Sequence, residues 1–110
     1  LGAGYLQPPL FSADYPRFWN YGFIGFVLAH ELIHSFDAKG YMYDHNGNKR
    51  IWWKKKNIKE FKKALQCLIN QYNNYSMEIN GTTYNVDGNK TKSENLGDNS
   101  GLKHAYMVIY

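Results

Sequence analysis

The run from Phe23 to Phe36, FIGFVLAHELIHSF, constrains this chain more than any other part of it. It is apolar on nearly every side of a helical wheel, which is the pattern of a helix covered all round. Its middle nevertheless holds His30, Glu31 and His34. Two core histidines on a buried helix would be an ordinary structural reading, but burying an unpaired carboxylate is costly, and Glu31 then has no place.

His30-Glu31-Leu32-Ile33-His34 is an H-E-x-x-H motif. On a helix, positions four apart lie on one face, so both imidazoles can reach a single ion. Glu31 sits about 100° further round, close enough to touch a water at the metal without ligating it. The chain has four His and four Glu in 110 residues. At that usage the motif is expected by chance about 0.005 times, so it carries weight despite its length. The chemistry it points to is that of a catalytic zinc, with Glu31 as the base.

Such a site needs a third protein ligand and an open fourth position. The metzincin pattern would place Gly three residues after His34 and His six after it. Asp37 and Gly40 stand there instead, which excludes that class. The later carboxylates are Asp44, Glu60, Glu78, Asp87, Glu94 and Asp98. Asp44 lies beside a turn and Glu60 falls within a lysine-rich helix. Glu94 is best placed, because Glu94-Asn95-Leu96-Gly97-Asp98 opens a helix with two carboxylates on one face. One can ligate while the other orients a ligand histidine. The competing reading makes Glu94 one half of a capping box with Thr91.

The rest of the chain reads as mainly helical. Residues 1 to 19 hold all three prolines (Pro8, Pro9, Pro16) and suggest an irregular arm packed on something else. Lys39-Gly40 ends the first helix, and Asn46-Gly47 is a turn signal. Ile58, Phe61, Leu65, Leu68 and Tyr72 step by three and four through a second helix. Met77-Glu78-Ile79 and Thr83-Tyr84-Asn85-Val86 could form a small β-hairpin around Asn80-Gly81. A last helix is expected from near Ser93, carrying Leu96, Leu102, Ala105, Tyr106 and Ile109.

At 110 residues there is room for one small domain, burying about two-thirds of its unfolded surface. Leu1 is not an initiator Met, and Tyr110 falls inside an apolar periodic run, so the chain is expected to be a piece of something longer. The best membrane candidate, Phe23 to Ala29, is too short to span a bilayer. Cys67 is the single cysteine, hence either a buried thiol or half of a bridge to a partner elsewhere. Three N-x-[ST] sequons, at Asn74, Asn80 and Asn89, fall within 18 residues and favour a secreted or cell-surface protein. An Asn-rich sequence making sequons by chance is the alternative.

Several of these stretches, taken in order, resemble the neprilysin and endothelin-converting enzyme family of zinc endopeptidases. They are Leu6-Gln7-Pro8-Pro9, Asn20-Tyr21-Gly22-Phe23-Ile24-Gly25, His30 through Asp37, Trp52-Trp53, Gln66-Cys67-Leu68 with Gln71-Tyr72, and Glu94 through Asn99. The resemblance spans essentially all 110 residues. It implies a mainly α, thermolysin-like catalytic domain of which residues 1–110 form one part, incomplete at both ends. It implies one zinc ion on His30, His34 and Glu94, Glu31 as base, Asp98 orienting His30, and Asp37 supporting His34. Small peptides would be the substrates, cut before large apolar residues. The setting would be extracellular or cell-surface, with any membrane anchor in a segment outside these residues. Cys67 would pair with a cysteine that also lies outside them, as do the family's substrate-binding strand and its distal His and Arg. Ser93 and Ser100 stand where the family usually has Gly, and Ser35 where Gly or Ala is usual.

Two other readings fit the residues less well. Six lysines between Lys54 and Lys63 and a net charge of +4 invite nucleic acid, but the apolar stripe on the same helix makes them a solvated face. Asp44-x-Asn46-x-Asn48 fails as an EF-hand, because Lys49 replaces the required Gly and Lys55 the final Glu. The rival within the family is a member that binds zinc or a partner without cutting.

Overall fold

Pro16, with no N–H to leave unpaired, stands directly before Arg17, the first α-helical residue among those described. A computed structural model describes residues 2–109. From Arg17 the backbone stays helical to Phe36. It runs through α1 (Arg17–Asn20), a widened i→i+5 turn (Tyr21–Gly25), α2 (Phe26–Ile33) and a 3₁₀ turn (His34–Phe36). The helix thus starts at Arg17, ahead of the expected Phe23. Asn20 does not break it, because its carboxamide reaches back to the arm instead. Its Oδ1 accepts from Ser12 N–H at 3.2 Å, and its Nδ2 donates to the Ser12 carbonyl at 2.8 Å. Tyr15 meets Trp19 edge-on and Trp19 stacks on Phe23, with ring centroids 5.8 and 5.2 Å apart.

This helical rod is less covered than its composition suggests. Ile24 is buried, but Leu28 is 47% and Leu32 69% exposed. One side packs on the last helix, and nothing among the described residues covers the opposite one.

Beyond the rod, a 3₁₀ turn (Gly40–Met42) leads to a tight reversal at Asn46-Gly47, where Gly47 has φ 77°. Asp44 Oδ1 accepts from the N–H groups of Asn46 and Asn48 at 2.9 and 3.0 Å. The Asp44–Asn48 stretch is therefore an Asx-type turn. Tyr41, Trp53 and Phe61 then gather with centroids 5.3–5.7 Å apart, tying this loop to α3 (Lys55–Asn73).

The expected stripe on α3 is inward: Ile58, Phe61, Leu65, Leu68 and Tyr72 are half-buried and Ile69 is buried. The hairpin forms as β1 (Ser76–Ile79) and β2 (Thr82–Asn85), antiparallel, with Ile79 opposite Thr82. Asn80 and Gly81 have φ of 51° and 76°, the left-handed pair that a two-residue hairpin turn requires.

The last helix, α4 (Gly88–Ile109), starts at Gly88 rather than near Ser93. Two bonds explain the earlier start. Asp87 Oδ1 accepts from Lys90 N–H at 2.9 Å, in the manner of an N-cap, and Asn73 Oδ1 on α3 accepts from Gly88 N–H at 2.7 Å. Gly88, Gly97, Gly101 and Ala105 are buried. The core lies along α4, which packs on α2 and the widened turn before it and also on α3, around Ile24, Ile69 and Ala105.

Candidate metal centre

α4 lies so close to α2 that two of its glycines face His30 directly. A Cβ on Gly97 would sit 2.8 Å from His30 Cε1, and one on Gly101 would sit 2.9 Å from the His30 backbone nitrogen. Only hydrogen fits at Gly101, since backbone cannot give way as a side-chain tip can. This approach sets Glu94 and Asp98, one helical turn apart, over the end of α2.

His30, His34 and Glu94 converge there. His30 Nε2 is 3.0 Å from His34 Nε2 and 3.4 Å from Glu94 Oε2, and His34 Nε2 is 3.7 Å from the same oxygen. Each residue offers one ligand atom, and these atoms lie within 4.8 Å of one another. A tetrahedral zinc site with ligands at about 2.0–2.1 Å has ligand-to-ligand edges of about 3.3 Å. The three distances bracket that value, so the donor set fits the ion in both chemistry and size.

The other ring nitrogens are held by carboxylates. Asp98 Oδ1 lies 2.9 Å from His30 Nδ1, and Asp37 Oδ2 lies 2.9 Å from His34 Nδ1. A carboxylate beside Nδ1 keeps the proton there and leaves the Nε2 lone pair free. Two such lone pairs 3.0 Å apart repel unless a cation or proton lies between them.

Asp37 is itself well fixed. It is 5% exposed, and its Oδ1 accepts from Lys39 and Gly40 N–H at 2.7 and 2.8 Å. Burial pushes its carboxyl up, but the hydrogen bonds from Gly40, Lys39, His34 and Ser93 outweigh this and hold it below the usual carboxylate range. His34 is raised above 6.5, first by its hydrogen bond to Asp37, against partial burial and with help from the charges of Glu94, Asp37 and Glu31. Glu31 is exposed and stays outside the converging trio.

The structure thus brings His30, His34, Glu94, Asp37 and Asp98 together. The capping-box reading of Glu94 fails, because Thr91 lies within α4, its hydroxyl donating to the Asp87 carbonyl at 3.0 Å. Cys67 is exposed on α3, so the buried-thiol reading does not hold. Residues that sequence reasoning missed are Gly97 and Gly101, and Ser93, which bonds Asp37 from α4. Glycines four apart inside a helical pattern were the available signal for the first two. No signal pointed to Ser93.

The sequence profile described as peptidase family M13 matches residues 1–110. The chain is 47% identical over 106 residues to rat endothelin-converting enzyme 1, covering 96% of this chain and 13% of that protein. It is 45% identical over 104 residues to an endothelin-converting enzyme homolog of Locusta migratoria, covering 94% and 14%. Among solved structures, PEPO from Lactobacillus rhamnosis superposes with a TM-score of 0.89 at 34% identity, covering all of this chain and 17% of that one. The zinc metalloprotease ZMP1 of Mycobacterium tuberculosis, in complex with inhibitor, gives 0.85 at 36% identity, covering 97% and 17%. The chain therefore spans about a seventh of the length of these curated relatives.

Proposed function

Since the chain belongs to peptidase family M13, we propose that residues 1–110 are part of the catalytic domain of a zinc-dependent endopeptidase that cuts small extracellular peptides. The observation that carries this reading is the convergence of His30 Nε2, His34 Nε2 and Glu94 Oε2 with one carboxylate behind each histidine. Zinc held by these three would supply a Lewis acid that polarises the scissile carbonyl and makes water acidic enough to deprotonate near neutral pH. Glu31, exposed and one residue beyond His30, is the base that takes the proton from the attacking water. It then returns that proton to the leaving amine. Asp98 and Asp37 keep the imidazoles turned with Nε2 inward.

An extracellular or cell-surface setting is supported by relatives such as the mouse membrane metallo-endopeptidase-like 1, 45% identical over 106 residues. No helix among the described residues is long and apolar enough to cross a membrane. Any anchor would lie in other parts of the protein. Cys67, exposed on α3, is available for a disulfide to a cysteine outside these residues.

The test is Glu31→Gln in the full-length protein, assayed on a quenched peptide beside metal analysis. Zinc should stay at one equivalent while the rate falls at least about 10²-fold. Undiminished turnover would remove Glu31 from the chemistry, and a wild-type protein that holds zinc but cuts no peptide would favour a binding role.

A further inference from the structure

The three sequons sit in different structural settings. Asn89 is in the first turn of α4, where its Oδ1 accepts from Lys92 Nζ at 2.9 Å. The hydroxyl of its sequon partner Thr91 donates to the Asp87 carbonyl at 3.0 Å and accepts from Asn95 Nδ2 at 2.8 Å. Asn95 is 7% exposed, so that hydroxyl is locked into the helix. The amide oxygen and the hydroxyl of this sequon are thus both engaged, and its Asn lies within helical backbone rather than at a turn.

Asn80 is the opposite case. It occupies the tip of the β1–β2 hairpin at φ 51°, followed by Gly81, and both strands are exposed along their length. Neither its carboxamide nor the Thr82 hydroxyl bonds to any described residue. Asn tolerates the left-handed turn position, and a substituent on Nδ2 there projects into solvent without disturbing the backbone. An attached glycan needs that: a surface turn with an unengaged Asn and hydroxyl.

We propose that Asn80 is an N-glycan attachment site and that Asn89 is not, a statement that rests on the extracellular setting above. The donor is an oligosaccharide carried on a lipid diphosphate. The Asn80 Nδ2–C1 bond forms, the C1–O bond to the diphosphate breaks, the lipid diphosphate leaves, and Nδ2 gives up one proton. Asn74 serves as the internal reference, being exposed at the corner between α3 and β1.

The experiment is secretory expression of the full-length protein in a eukaryotic host, followed by enzymatic glycan release in heavy-oxygen water. Each released site becomes a labelled Asp that peptide mass spectrometry locates. The expected result is label at residue 80 and none at residue 89, with Asn80→Gln removing one glycan and Asn89→Gln none. An unlabelled Asn80 overturns the proposal, as does label at Asn89. If Asn74 is labelled while Asn80 is bare, the proposal alone fails; if all three are bare in the cell's own protein, the extracellular reading fails with it.

Discussion

Asp98 and His30 are 68 positions apart, and their side chains meet with Oδ1 2.9 Å from Nδ1. One lies on α4 and the other on α2, so this contact exists only when the two helices are docked. With zinc held as proposed above, its affinity would report on that docking.

Asp98→Ala should therefore weaken zinc about 10–100-fold, the usual effect of removing a carboxylate behind a ligand imidazole. Asp98 is exposed, so the fold should persist. Competition with a chromophoric chelator measures the affinity. An unchanged value would mean that His30 needs no help in presenting Nε2.

His30→Ala and His34→Ala should each abolish stoichiometric zinc in the complete protein, because each removes one corner of a trio already at ligand-edge spacing. Near-full occupancy by metal analysis in either variant would defeat the ligand assignment.

Gly101→Ala places a methyl 2.9 Å from the His30 nitrogen and 3.1 Å from its Cα. Overpacking of this kind costs about 1–3 kcal/mol. Since Glu94 and Asp98 ride on the displaced helix, zinc affinity should fall along with the melting temperature. A variant that melts like the parent and keeps its affinity would show that α4 is held elsewhere.

In the metal-free protein, the His34–Asp37 pair should stabilise the fold fully below about pH 6.5 and progressively less as pH rises through the raised pKa of His34. Zinc requires the neutral ring, so metal loading should rise across that same interval. Ring-proton NMR of the metal-free protein reads the His34 midpoint. A value at or below 6.5 would contradict the hydrogen bond as the dominant influence.

Residues 1–110 made alone should not hydrolyse peptides. Leu32, Leu102, Tyr106 and Val108 are 61–69% exposed, and an open hollow of about 470 Å³ lined by Phe11, Ile24, Leu28, Val108 and Ile109 includes none of the site residues. So much uncovered apolar surface leaves little stability for a domain of this size, although zinc binding would offset part of it. The measurement is a zinc-loaded preparation on a quenched peptide with Glu31→Gln as control. Turnover that vanishes in the control would prove the stretch self-sufficient.

What the amino-acid sequence determined by itself was everything set by local spacing. The four-residue step between His30 and His34 puts two imidazoles on one helix face. The same step relates Glu94 to Asp98. Asn80-Gly81 dictates a hairpin because both residues tolerate positive φ, and the stripe from Ile58 to Tyr72 dictates the inward face of α3. These follow from the geometry of a few neighbouring residues. The start of α4 was not legible, because Gly88 reads as a breaker until Asn73, fifteen positions earlier, accepts its N–H. Nor was the register of α4 on α2, which depends on backbone approaching backbone at Gly101. The bond from Ser93 to Asp37 was equally hidden, since it joins two elements with no periodic relation. The apolar rod misled in the other direction: composition marks a face as suited to burial, but only the packed structure decides whether anything covers it.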